Sequence, residues 1–297
     1  MKGFSQKPSF FSKTGTLLVL CSMCIGGLFL GDHNLVRAQE GLTPMESSEL
    51  GLTPQEDDPF RFLVWLRSDL SAAPRALLNT SPIQLGVGLA SVFTVSRFDE
   101  SLTEQAVEWR GRELMRVLEE LGDANAVRPL AVIIFAGSLF SENHTFQDAA
   151  FASVEGLIYA NVLTNFLKLS FGRERPWQGD DSSVFKPFSG NTSFPSGHAT
   201  TAFAAITPWL LYYPGPSAVL LVAVASGSAW SRIPLKYHWS SDVVAGALIG
   251  FATSAWLVRR HRNREGGVGL SESSQSTYRS GWDMEAGLQS ISLKYAW

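Results

Sequence analysis

Three short clusters of basic, hydroxyl-bearing and histidine residues lie between positions 168 and 242, each at the edge of an apolar segment. They read KLSFGRERP from Lys168, SFPSGHAT around His198, and SRIPLKYHWSSD up to Asp242. Lysine and arginine supply fixed positive charge, and arginine can hold an oxyanion through two parallel hydrogen bonds. Histidine changes its charge near neutral pH, which suits proton transfer and nucleophilic attack. These residue types therefore predict a phosphate site with two histidines, His198 and His238.

The middle cluster should lie where a helix begins. Ser196, Gly197 and His198 open an apolar run, and the first N–H groups of a helix attract anions together with the helix dipole. His238 and Asp242 are four residues apart, so both lie on one face if their segment is helical. Each cluster alone has an ordinary explanation, as a helix cap, a basic helix end or a surface pair. Their co-occurrence favours one shared anion site.

The order and spacing of these residues resemble the type-2 phosphatidic acid phosphatase and vanadium haloperoxidase superfamily. Its three signatures are matched in order by Lys168-x6-Arg175-Pro176, by Pro195-Ser196-Gly197-His198, and by Ser231-Arg232-x5-His238-x3-Asp242. One such match would be weak evidence, whereas the full set is specific. The resemblance covers roughly residues 150–255 of the chain.

The resemblance implies a role for each matching residue. His238 would attack phosphorus and become a phosphohistidine, Asp242 would accept the other ring N–H, and His198 would protonate the leaving group. The oxygens of the phosphoryl group would be held by the remaining signature residues, namely Lys168, Arg175, Ser196, Gly197 and Arg232. Two further bases, Arg173 and Lys236, lie beside the signatures and could contribute to recognition of substrate charge.

These expectations describe a metal-independent phosphomonoesterase that acts on a phosphorylated lipid or a small exported phosphate ester. We expect no metal site and no cofactor, because fixed cations can stabilise the phosphoryl charge and the sequence has no HExxH motif. Two alternatives stay open: a vanadate-dependent haloperoxidase, with His238 as the vanadate ligand, and a non-catalytic phosphate-binding envelope protein. A net charge of −3 gives no reason to expect a nucleic acid partner.

The body of the chain is predicted to be an all-α helical bundle. Hydrophobic residues make up 45% of the sequence, which is enough for a core. The candidate helices, with prolines such as Pro74 and Pro129 at their edges, cover 60–70, 81–96, 102–121, 127–140, 145–170, 198–212, 216–230 and 239–260. Segment 102–121 is amphipathic, so one face should meet water, whereas 216–230 and 243–258 are apolar nearly all round.

The ends of the chain suggest separate regions. Residues 1–38 resemble a cleaved signal peptide, with lysines before an apolar stretch and Val36-Arg37-Ala38 as the cleavage site, although an uncleaved anchor is the alternative. Residues 39–59 form an acidic linker, and 60–264 the helical phosphatase domain. The tail, 265–297, is rich in glycine and serine and ends in period-two alternation, which could form a short β appendage.

The signal peptide predicts export, with the active site facing away from the cytosol. Most apolar segments offer only 12 to 16 residues, fewer than the roughly 20 that a membrane-spanning helix needs. We therefore expect a periplasmic or surface-bound protein rather than an integral one. The basic run 259–264 after an apolar segment is typical of a cytoplasmic flank, or simply of a solvated helix end. The oligomeric state is left open.

Overall fold

The structure is a computed structural model and describes residues 60–179, 181–268, 282–287 and 290–295. The predicted signal peptide (1–38) and acidic linker (39–59) lie outside these ranges. The described helices, in chain order, are α1 (Arg61–Leu78), α2 (Pro82–Ser96), α3 (Asp99–Ala106), α4 (Glu113–Leu121), α5 (Ala124–Ser138), α6 (His144–Phe171), α7 (Gly197–Tyr212), α8 (Pro216–Ser231) and α9 (Ser240–Val268).

The chain divides into two compact units, one ending at Val258 and the other beginning at Arg259. The regular elements described in the first unit are helices, and the loop between α6 and α7 adds only an isolated β-bridge between Arg173 and Phe185, which confirms the all-α prediction. The second contains the end of α9 and an antiparallel hairpin of β1 (Trp282–Gly287) and β2 (Ser290–Tyr295). This hairpin is the short β appendage that the alternation in the tail predicts.

The predicted single helix over 102–121 is wrong. The segment contains α3, a 3₁₀ turn at Val107–Trp109 and the separate helix α4. Arg112 is extended (φ −81°, ψ 136°) directly after Gly111, a residue with poor helix propensity, so the backbone starts a new helix at this point. The amphipathic pattern continues across the break, which explains why periodicity alone misses it.

Two prolines predicted to mark helix edges lie inside helices instead. Pro74 is within α1 and Pro129 is within α5. A proline removes one backbone hydrogen bond but leaves the apolar face of a helix intact, and packing of that face keeps both helices continuous. The other boundaries differ from the predictions by a few residues, mainly because α1 and α9 extend further toward the C-terminus.

The core of the first unit is built around α7, which packs against α6 and α8. Its small buried residues, including Ala199, Ala202 and Ala204, let neighbouring helices approach closely. Buried hydroxyl groups add direct links to the backbone of α7. Ser153 Oγ of α6 donates to the Ala205 carbonyl, and Ser254 Oγ of α9 donates to the Ala204 carbonyl, each at 2.9 Å. Helix α7 is therefore fixed between the two longest helices.

Within the described residues, α6 and α9 are long and apolar enough to cross a membrane, and the pair α1–α2, bent by 75°, is a third candidate. The expected length of 12 to 16 residues holds for α7 and α8, with 16 residues each, but not for α6, with 28. Large apolar side chains are exposed along α6, where both Val162 and Phe166 are 65% accessible. The length argument against membrane spans therefore fails for α6 and α9.

Candidate active site

Helix ends bring the signature residues together. Lys168 lies in the last turn of α6, which ends at Gly172 in the left-handed region (φ 56°). A Cβ there would lie 1.8 Å from the Lys186 carbonyl oxygen, so both the turn and the close approach require glycine. Helix α7 begins at the second signature, while Arg232 caps the end of α8 and Asp242 lies in the first turn of α9.

The two cations of the first signature converge on Thr192. Lys168 Nζ donates to the Thr192 carbonyl oxygen at 2.5 Å, and the Arg175 guanidinium donates to the Thr192 hydroxyl at 3.1 Å. Both side chains are half-buried. Burial, together with the nearby charge of Arg232, lowers the pKa of Arg175, which shows that cations of the first and third signatures lie close to one another.

The His238 ring is buried, with only 4% of the residue accessible. Its Nδ1 lies 3.7 Å from Asp242 Oδ2, which is longer than a hydrogen bond, and has no hydrogen-bond partner among the described residues. The same carboxylate oxygen accepts from Ser193 Oγ at 2.6 Å and from the Trp239 N–H at 2.9 Å. The Asp242 carboxylate is thus held in place by Ser193 and Trp239, at a distance from the imidazole that a small movement would close to a hydrogen bond.

The two histidines influence each other electrostatically. Burial lowers the pKa of His238 to about 4, and the charges of Lys168 and Arg175 add to this, although Asp242 opposes it. Burial also lowers the pKa of His198 to about 4, with further contributions from Arg232 and His238. Both rings are therefore neutral at pH 7. The effect of His238 on His198 shows that the two rings lie near each other.

The turn between α4 and α5 closes over His198. Its ring is hydrogen-bonded to the Glu119 backbone, and Nε2 lies 2.9 Å from Ser228 Oγ. A Cβ on Gly122 would lie 1.8 Å from Ser228 Oγ and 2.7 Å from His198 Nε2. Position 122 therefore needs glycine so that the backbone can approach the ring.

The second signature sets the start of α7. The Ser196 side chain is buried and caps the helix by accepting from the Ala199 N–H at 3.4 Å, while the Ser196 N–H donates to the Asp242 carbonyl oxygen at 2.9 Å. A Cβ on Gly197 would make only ordinary contacts, the nearest at 3.6 Å from Lys168 Cε. Packing within the protein therefore does not require glycine at 197.

Arg173 is placed differently from its predicted role in recognising substrate charge. It is only 3% accessible, and its guanidinium donates to Asp242 Oδ1 at 2.6 Å and to Asp99 Oδ2 at 2.8 Å. Because both terminal nitrogens of Arg173 donate to buried carboxylates, its guanidinium is not available to bind a ligand in the cleft. Lys236, by contrast, is half-buried and lines a cavity of about 250 Å³ together with Pro176 and Trp239.

The structure adds residues that the sequence motifs miss. Asp99 of α3 contacts Arg173, Glu119 of α4 pairs with Arg232, and Ser228 contacts His198. Asp99 and Glu119 lie well upstream of the signatures, and their spacing relative to them is not a recognisable pattern. Ser228 lies three residues before Ser231, the first residue of the third signature, and so on the same face of α8. That spacing is the only sequence signal that places Ser228 near the site.

Residues 149–265 match the PAP2 superfamily, and this range includes all three signatures. This part of the chain is therefore similar to the PAP2 superfamily. It is 31% identical over 155 residues to lipid A 1-phosphatase of Rhizobium etli, which covers 47% of this chain and 66% of that protein, just under two thirds of its length. It is 27% identical over 138 residues to a putative undecaprenyl-diphosphatase of Escherichia coli, covering 45% of this chain and 68% of that protein.

Among solved structures, the fold is similar to a transmembrane PAP2 type phosphatidylglycerolphosphate phosphatase from Bacillus subtilis. The TM-score is 0.45 at 22% identity, over 69% of this chain and 97% of that one. Every predicted site residue lies inside the PAP2 match, whereas Asp99 and Glu119 lie before it. The helices α3 and α4 therefore bring residues from outside the matched region to the PAP2 site.

Proposed function

We propose that this protein is a phosphatase that releases phosphate from a phosphorylated lipid through a phosphohistidine on His238. The observation that carries the proposal is the environment of that ring, which is buried between the Asp242 carboxylate and the charges of Lys168 and Arg175. A neutral imidazole beside fixed cations can attack a phosphoryl group whose negative charge the cations stabilise.

In the first step, the His238 ring attacks phosphorus. Because Nδ1 faces Asp242, the attacking atom is Nε2, and its lone pair forms the P–N bond as the P–O bond to the leaving group breaks. Asp242 stabilises the positive charge that develops on the ring. His198 donates a proton to the departing oxygen. Binding of an anionic phosphate next to His198 raises its pKa, which makes the protonated ring available in the complex.

In the second step, water attacks the phosphohistidine. His198, now neutral, accepts a proton from the water as the P–N bond breaks, and inorganic phosphate leaves with His238 restored. The phosphoryl oxygens are held by Lys168, Arg175, Arg232 and the Gly197 N–H at the start of α7. Since the Ser196 hydroxyl already caps that helix, Ser196 contributes chiefly by fixing the helix end.

A lipid phosphate is the substrate class that the observations support best. The names of two relatives, lipid A 1-phosphatase and putative undecaprenyl-diphosphatase, each refer to a phosphorylated lipid as the substrate. The two long apolar helices and the exposed apolar side chains of α6 support a chain that is integrated in a membrane. The predicted signal peptide supports a site that faces away from the cytosol. No contact among the described residues favours the haloperoxidase or the non-catalytic alternative.

The test is phosphate release by the detergent-solubilised protein in the presence of EDTA. The substrates are lipid A, undecaprenyl diphosphate, phosphatidic acid and, for comparison, soluble p-nitrophenyl phosphate. We expect release from at least one lipid phosphate, and loss of release in His238→Ala with inhibitor binding retained. Activity that EDTA abolishes would contradict the metal-independent mechanism, and substantial turnover by His238→Ala would contradict the assigned nucleophile. Vanadate-dependent halide oxidation by peroxide would favour the haloperoxidase instead.

A further inference from the structure

We infer that Asp99 and Arg173 are positioning residues that set the charge and orientation of Asp242, and through it the reactivity of His238. The inference rests on the proposed function, since it assigns a part in the same reaction to two residues that do not touch the phosphate. Asp99 lies on α3, outside the matched family region, and is separated from Asp242 by more than 140 positions in the chain.

The guanidinium of Arg173 uses all of its N–H groups. One terminal nitrogen donates to Asp242 Oδ1 at 2.6 Å and to Ser241 Oγ at 2.8 Å. The other donates to Asp99 Oδ2 at 2.8 Å and to the Ser182 carbonyl oxygen at 2.6 Å, and Nε donates to that carbonyl oxygen at 2.9 Å. The rings of Phe185 and Trp239 lie 5.1 and 5.6 Å from the guanidinium carbon.

Asp99 closes the network from the other side. Its Oδ1 accepts from the Ser241 N–H at 2.8 Å and its Oδ2 from the Ser241 hydroxyl at 2.5 Å. Ser241 directly precedes Asp242, so Asp99 fixes the backbone that carries Asp242 as well as the arginine that contacts it. Asp99, Arg173, Ser241 and Asp242 are all at most 3% accessible.

Two carboxylates share one guanidinium in this network, and that arrangement determines the field at His238. While Asp99 is ionised, it offsets part of the Arg173 charge, and Asp242 keeps more negative charge for the imidazole. The charged or titratable groups that face the ring are Asp242, Lys168, Arg175 and His198. Among these groups, Asp242 alone favours a positive ring, so the state of Asp242 decides how well His238 tolerates the charge that develops during attack.

The decisive variant is Asp99→Asn, which keeps the shape of the side chain and removes its charge. Because Arg173 then acts on Asp242 alone, we expect kcat to fall by about tenfold to a hundredfold, whereas KM stays within about twofold since Lys168, Arg175 and Arg232 are untouched. We further expect the acid limb of kcat/KM to move to lower pH by about half a unit, since the His238 pKa falls. A merely destabilised protein would show the opposite shift, because it would unfold at higher pH.

Ser241→Ala is the second variant, and it keeps the inference testable if Asp99→Asn does not fold. It removes the hydroxyl that joins Asp99 to Arg173, and should lower kcat in the same direction with a smaller effect. The matched control is Asp148→Asn, which cuts another buried aspartate–arginine pair, to Arg61 at 2.8 Å. That control should lower the thermal midpoint without lowering kcat or moving the acid limb downward.

The outcomes separate this inference from the proposed function. If the unmodified protein releases no phosphate from any substrate tested, the proposed function fails. If it is active and Asp99→Asn or Ser241→Ala retains the unmodified kcat and acid limb, only the positioning role is overturned. A lower kcat with an acid limb that moves upward would show a structural role and would also overturn it.

Discussion

The carboxylate of Glu119 pairs with the guanidinium of Arg232, and the backbone of the same residue is hydrogen-bonded to His198. One residue at the end of α4 therefore contacts both a predicted phosphate ligand and the predicted general acid. The Arg232 guanidinium also lies 4.3 Å from the centre of the Tyr237 ring. Arg232 is thus held by an internal carboxylate, with which an anionic ligand of the same guanidinium would compete.

Replacing Glu119 by glutamine should strengthen the binding of anions. Phosphate would no longer compete with an internal carboxylate for Arg232, so we expect KM and the inhibition constants of inorganic phosphate and vanadate to fall by about threefold to tenfold. The size is modest because the pair is partly exposed. Steady-state kinetics of Glu119→Gln with product inhibition would measure both effects.

The control for that experiment is Glu113→Gln on the same helix. Glu113 pairs with Arg116, both side chains are exposed, and among the described residues Glu113 makes no contact with the signatures. Its removal should leave KM and both inhibition constants unchanged. Equal effects from the two substitutions would mean that net charge, rather than the contact with Arg232, governs anion binding.

A methyl group at position 122 should displace His198. The Cβ of Gly122→Ala would overlap Ser228 Oγ and press on His198 Nε2, and we expect kcat to fall by about tenfold or more. Gly111→Ala is the matched control, since a Cβ at 111 meets nothing within 4 Å. Adding Ser228→Ala to Gly122→Ala should recover part of the lost kcat. Full activity of Gly122→Ala would show that the turn can move without affecting His198.

The pKa values of the two histidines predict an acid-tolerant free enzyme. His238 must be neutral to attack, and its pKa of about 4 means that kcat/KM stays level down to about pH 5 and declines below that. The alkaline limb of kcat should instead report His198 in the substrate complex, well above its pKa of about 4 in the free protein. An acid limb near 6.5, the ordinary histidine value, would contradict the buried environment of His238.

The same residues should make folding stability depend on pH. Between their ordinary pKa of 6.5 and about 4, both histidines bind protons more readily in the unfolded chain than in the folded one. The free energy of unfolding therefore falls as pH decreases through that window, by up to about 1.4 kcal/mol per unit for the fully buried His238. The thermal midpoint of the unmodified protein should fall more steeply than that of His238→Gln as pH decreases below 6.5.

The apolar surface of α6 should hold the protein in the membrane. We expect the protein to remain in the membrane pellet after an alkaline carbonate wash and to be released by detergent. Val162→Asp, at a position 65% exposed on α6, should reduce the amount recovered from the membrane. Leu114→Asp is the comparison, because Leu114 is 53% exposed on the short, charged helix α4 and should have little effect. Recovery in the soluble fraction would contradict integration.

Much of the site follows from sequence because its residues lie in three compact motifs near helix ends. The positions of Lys168, His198 and Asp242 at the end of α6, the start of α7 and the start of α9 agree with the prediction. Arg173 could not be interpreted correctly, since a basic residue between two ligand candidates looks identical whether it faces the cleft or a buried carboxylate. Only the position of Asp99 distinguishes the two cases, and that depends on tertiary packing.

The sequence also predicts the long helices better than the breaks between short ones. Long apolar segments such as α6 and α9 are evident from composition, and the predictions differ mainly in where they end. The break at Gly111 is not evident, because apolar and charged residues alternate at helical spacing on both sides of it. This break turns α4 back toward the signatures and brings Glu119 to Arg232. Glu119 is therefore not recognisable from the sequence as the partner of Arg232.

Lys168 is anchored by the main-chain oxygen of Thr192 rather than by a side chain. Every amino acid has a main-chain oxygen, so the hydrogen bond from Lys168 does not depend on the side chain at position 192. The exposed loop that leads to it, including Trp177 and Phe188, is consequently free to diversify while the lysine keeps its place. Changes in substrate preference should therefore be sought first in this loop, at positions other than Thr192, whose hydroxyl accepts a hydrogen bond from Arg175.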